Sequence, residues 1–89
     1  MKTPILVNAA QMQRQHPQTF ERPSPAELAG VKANDFVKLC DGGERFWVQV
    51  QSRKAEIITG QVASVLIFSR SLKAGSSIRF HTDNIYAIQ

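Results

Sequence analysis

The feature that most constrains this chain is the stretch "DFVKLCDGGERFWVQV", residues 35–50. Both halves alternate with a period of two, the signature of a strand with one buried face. In the first half Val37 and Leu39 share one face, and Phe36, Lys38 and Cys40 share the other. In the second half Phe46, Val48 and Val50 point one way, and Arg45, Trp47, Gln49 and Gln51 point the other. Between them, Asp41-Gly42-Gly43 tolerates the positive φ angles of a tight turn, so the stretch reads as an antiparallel hairpin. With 89 residues there is room for one domain and one core, and little for a deep pocket.

Further strands follow. "QSRK", residues 51–54, reads as a polar connection, and residues 55–64 as a third strand in which Gly60 marks a bulge or a sharp bend. "VLIF", residues 65–68, either fills the core or pairs at an edge with a second copy of the chain. Residues 71–77 read as a turn with Gly75 at its tip, and 78–80 and 85–88 as two last strands around the polar "HTDN". Upstream, residues 24–30 carry a helix signature. Ser24 caps it, Pro25 fits the first position, Glu27 completes the Ser-x-x-Glu box, Gly30 stops it, and Leu28 anchors it in the core. Residues 1–23 read as an N-terminal arm. Within it Ala9–Gln15 suits either a helical turn or an extended segment, and Ile5-Leu6-Val7 suits a strand at a sheet edge. The expected fold is therefore mainly β: a small SH3-like β-barrel of five to six strands over residues 24–89, preceded by the arm and including one short helix. Its expected core is Val37, Leu39, Phe46, Val48, Val50, Ile58, Val62, Leu72, Ile78, Phe80 and Ile85.

Charge and composition narrow the function classes. The formal net charge is +4, compatible with an anionic partner, but the basic residues are scattered and only Arg53 and Lys54 are adjacent. A single cysteine, Cys40, excludes an internal disulfide and fits a reducing compartment. The start of the chain lacks the apolar region of a signal peptide, and no apolar run has the length of a membrane span; the expectation is a soluble, cytoplasmic protein without membrane contact. Gly42-Gly43 precedes a strand rather than a helix, so it does not read as a phosphate-cradling loop. Cys40, His16 and His81 lack metal-ligand or nucleophile spacing, and Asp41 and Glu44 are ordinary hairpin carboxylates. The expectation is no enzyme, no cofactor and no metal.

The remaining question is Trp47, the only tryptophan, on the polar side of its strand. One reading shelters it beneath Phe20 and Leu28. The other leaves it on a binding face with Arg45, Gln49, Arg53, Lys54, Arg79 and His81. The leading functional reading is a non-catalytic module, monomeric or weakly dimeric, that binds a protein or peptide across the Trp47 face. The alternative is a nucleic-acid-binding accessory protein using Trp47 and the surrounding Arg and Lys residues. Cations gathered around Trp47 favour nucleic acid; a neutral apolar groove favours a peptide.

The order of "GERFWVQV", "ITGQV", "LKAGSSIRF" and "NIY" resembles a family of small bacterial β domains of unknown function. That family's pattern is a Gly-Glu-x-Phe/Met-Trp-Val strand, a Thr-Gly bend and a Leu-x-x-Gly-Asp turn before a strand. The resemblance covers about three quarters of the chain. Ser76 stands where the family often has Asp, and the acidic-Trp ending of some members is missing. What the resemblance implies is a fold of turns, bends and core aromatics; it brings no catalytic signature.

Overall fold

Alternation in residues 35–50 becomes the centre of a five-stranded antiparallel sheet. In the computed structural model, which describes residues 6, 8–15, 22–41, 44–64 and 74–89, the strands are β1 (Phe36–Asp41), β2 (Glu44–Lys54), β3 (Ile57–Val62), β4 (Ser77–His81) and β5 (Ala87–Ile88). They lie in the order β4-β3-β2-β1-β5. The fold is mainly β as expected. Among the described residues the strand pairing forms one open ladder, with β4 and β5 as its two edges.

One face of the sheet carries the core. Val37 pairs with Val48 and Leu39 with Phe46 across β1 and β2. Val48 faces Val62, and Ile58 faces Phe80, across the next two ladders. These side chains, with Val50, Ile78 and Ile85, are at most a few per cent exposed. Burying each one stabilises the fold by about 1.5–3 kcal/mol. Every expected core residue is in this cluster except Leu72, which lies outside the described residues. The turn residues Gly42-Gly43, the run at 65–68, and Ile5, Val7, His16 and Phe20 also lie outside them.

The helical content exceeds the one short helix expected. Helix α2 (Pro25–Ala29) has the capping box read from the sequence: the Glu27 amide donates to Ser24 Oγ, and the Ser24 amide donates to Glu27 Oε1. Its Leu28, followed by Val31, enters the core. A second helix, α1 (Ala9–Gln15), occupies part of the expected arm. Asn8 Oδ1 accepts from the Gln11 amide at 2.8 Å, which caps it, and Arg14 lies in its last turn, where a cation suits the dipole. Ala9 and Ala10 are buried, and α1 lies against a 3-10 turn, η1 (Thr82–Asn84), where the sequence showed only a polar separator.

Strand β2 also departs from expectation. Residues 51–54 are not a connection; the strand runs on to Lys54, and the turn to β3 is only Ala55-Glu56, with Ala55 at φ 54°. The register slips between Val50 and Ser52, leaving Gln51 as a bulge. The bulge faces the Gly60 region but lies on the opposite strand. Gly60 is there for closeness: a Cβ on it would meet Val48 Cγ1 at 2.5 Å and the Gln49 carbonyl oxygen at 2.8 Å.

Candidate functional site

The bulge decides which charges share a face. Side chains on either side of an extra residue exchange faces. Before Gln51, odd-numbered residues of β2 point away from the core; after it, even-numbered ones do, because Arg53 pairs with the buried Ile58 and Lys54 with the exposed Ile57. The adjacent cations Arg53 and Lys54 are thereby split between opposite faces.

The outer face is built row by row from the register. Lys38 pairs with Trp47, Cys40 with Arg45 and Phe36 with Gln49. Gln49 continues to Gln61, and Gln61 to Ser77. Thr59 pairs with Arg79, and Ile57 with His81. The charged side chains at these outward positions are Lys38, Arg45, Lys54 and Arg79, all cationic, with His81 beside them. No described carboxylate occupies an outward strand position. Glu27 serves the α2 cap, and Asp35 accepts from the Lys32 amide. Asp41 and Glu44 close the end of the first hairpin. Glu56 sits in the turn after β2, and Asp83 in η1.

Two cations rest on aromatic rings. Lys38 Nζ lies 4.9 Å from the centre of the Trp47 ring, and the Arg45 guanidinium carbon 5.3 Å from that of Tyr86. Both distances are within cation–π range. Trp47 is half-buried, and its backbone is fixed on the β3 side: its amide donates to Ser64 Oγ at 2.7 Å, and its carbonyl accepts from the Ala63 amide at 2.8 Å. Leu28 does not shelter it, because Leu28 belongs to the core on the opposite face. Tyr86 shares a side-chain hydrogen bond with Cys40. Burial and the neighbouring Cys40 raise the phenol above its ordinary pKa, while Arg45 pulls the other way. Cys40 is buried.

At the far end of the same face, Ser52, Lys54, Ile57, Thr59 and Arg79 line a shallow groove of about 530 Å³ with part of Arg53. Ile57 is 44% exposed, the one large apolar side chain left open among the described residues. His81 borders this region but is committed locally: its Nδ1 accepts from the Asp83 amide at 3.0 Å, and its own amide donates to Asn84 Oδ1.

Arg53 has a structural task. Its Nη1 donates to the carbonyls of Leu28 at 2.7 Å and Val31 at 3.1 Å, and its Nε to Ala55 at 2.7 Å. It ties the end of α2 to the β2–β3 turn. Arg22, which sequence reasoning did not single out, does similar work by donating to the Thr82 carbonyl. These two arginines, with Glu56 and Asp83, line a second cavity of about 300 Å³ beneath α2, where each guanidinium has a carboxylate at 3.9–4.0 Å. Of the seven residues expected to share one face, Arg45, Trp47, Gln49, Lys54, Arg79 and His81 lie on the outer face of the sheet, and Arg53 lies on the core side. Lys38 was missed as a site residue although its alternation with Val37 and Leu39 placed it there. No known protein family, curated protein or solved structure matches the chain.

Proposed function

We propose that this protein is a non-catalytic module that binds nucleic acid across the outer face of its sheet, and that the sheet curls around its core as a small SH3-like barrel. The barrel reading is supported by the strand order, which sets β1 between β2 and β5, by the bulge that bends β2, and by η1 joining β4 to β5. One observation carries the functional reading: the charges on the outward strand positions are all positive, while the described carboxylates are placed elsewhere. A surface of one sign attracts a polyanion and orients it. The groove at Ile57 is flanked by Lys54 and Arg79, so it is not the neutral apolar slot that a peptide reading calls for.

The test is a two-dimensional amide titration with short single- and double-stranded DNA at low and moderate salt. The expected result is shifts confined to residues 36–40, 45–54, 57–61 and 77–81 and to the Trp47 indole, weakening as salt rises. Shifts scattered over α1 and α2, or none at high concentration of both components, would refute the reading. Shifts on the outer face with an acidic peptide and none with DNA would transfer the face to a protein partner.

A further inference from the structure

The outer face has more than charge. It carries the chain's only tryptophan and its only tyrosine, and each has a cation resting on its ring. Resting on the nucleic-acid reading above, we infer that the ligand is single-stranded, with bases stacking on Trp47 and Tyr86 while Lys38 and Arg45 leave the rings to meet the flanking phosphates. A single strand exposes the flat faces of its bases to aromatic side chains, and such stacking tolerates any sequence. A duplex hides those faces. To read a duplex, a protein inserts a helix or a two-stranded ribbon into a groove. Here α1 has 7 residues and α2 has 5, the core side of the sheet, where α2 packs, faces away from the cations, and the hairpins β1–β2 and β2–β3 are flanked by further strands rather than projecting as a free ribbon.

The layout also sets a footprint. Trp47 and Lys54 lie on one strand, seven positions apart with one residue taken up by the bulge, so they are separated by about 20 Å at the usual rise. A strand stacked at Trp47 and Tyr86 would continue along β2 toward the groove of Lys54, Ile57 and Arg79. That length suits roughly four nucleotides, the lower end of what small β modules hold. Gln49 and Gln61, paired across β2 and β3, lie between the two ends; Gln61 Nε2 already donates to the Gly75 carbonyl at 3.1 Å, so the Gln49 amide and Gln61 Oε1 are the neutral groups offered to the bases.

Fluorescence tests this directly, because Trp47 is the only indole emitter. A mixed-sequence single strand of about 10 nucleotides and the matching duplex would be titrated at equal phosphate concentration. The expected result is quenching of Trp47 emission by the single strand, with affinity at least tenfold above that for the duplex. Trp47→Leu should lose about tenfold or more in affinity, and Trp47→Phe should lose only a fewfold. Equal binding of both forms without quenching would overturn the stacking inference and leave the nucleic-acid reading intact. Binding of neither form would overturn that reading as well. Should Trp47→Leu fail to fold, the quenching and the duplex ratio in the unaltered chain still decide.

Discussion

Replacing Gly60 by Ala tests the close approach of β2 and β3. A new Cβ would lie 2.5 Å from Val48 Cγ1 and 2.8 Å from the Gln49 carbonyl oxygen. Val48 is fully buried, and a β-branched side chain is stiff at χ1, so its methyl has nowhere to turn. The second atom is backbone, in the ladder where Gln49 pairs with Gln61. Relief therefore requires the two strands to separate locally. Overpacking of this kind costs about 1–3 kcal/mol, and a weakened ladder bond about 1 more. Against that, Ala gains up to about 1 kcal/mol over Gly by restricting the unfolded chain. The net is a loss of about 1–3 kcal/mol, or a fall in Tm of roughly 5–20 °C for a domain of this size. Urea or thermal denaturation monitored by circular dichroism measures it. Adding Val48→Ala removes one of the two clashes, so the double variant should lose less than the sum of the single losses. A Gly60→Ala protein within about 0.5 kcal/mol of the original would refute the strand spacing argued here.

Other outcomes follow from the same contacts. Arg53→Ala should cost about 2–4 kcal/mol, because charge-assisted bonds to Leu28 and Val31 are lost, whereas Lys54→Ala should stay within about 0.5 kcal/mol; chemical denaturation separates the two. Tyr86 should ionise above the ordinary phenol range, since burial and Cys40 disfavour its charged form. The folded-state pKa is raised, so this contribution is fully present below the unfolded pKa near 10 and is lost as pH rises through the raised value. Alkaline absorbance follows the single phenol, and Tyr86→Phe should remove that part of the alkaline loss. Glu27 should ionise below its ordinary range, because the Ser24 amide and hydroxyl hold its carboxylate. Its contribution is present above the unfolded pKa and is lost as pH falls through the lowered one; carboxyl NMR should show Ser24→Ala returning Glu27 toward its ordinary value.

Local signals that coincide with packing were legible in the sequence. Alternation in β1 and β2 identified the core face residue by residue, and the Ser24–Glu27 box located α2. The bulge was not legible. "QSRK" is polar, and a polar run after a strand reads as a turn, yet here the strand continues with its faces exchanged at Gln51. That one residue sends Arg53 under α2 and leaves Lys54 outside, a division no composition argument anticipates. The signal for α1 was present in Asn8-Ala9-Ala10-Gln11, which has the spacing of a capping box, but the surrounding Gln and Pro residues made an extended arm equally natural. η1 depends on His81 and Asn84 exchanging bonds with the backbone, which becomes definite only once β4 has placed them.

The central claim is that Lys38, Arg45, Lys54 and Arg79 act together as one polyanion-binding face. The most direct measurement is the salt dependence of single-stranded DNA affinity, by fluorescence anisotropy, for the unaltered chain and for a variant with all four changed to Gln. With four phosphates neutralised, log K should fall with log salt at a slope of about −3, roughly a 50-fold loss between 50 and 200 mM. The variant should bind weakly, with a slope near zero, while keeping its circular dichroism spectrum. A folded variant that retains the affinity and slope of the unaltered chain would contradict the account.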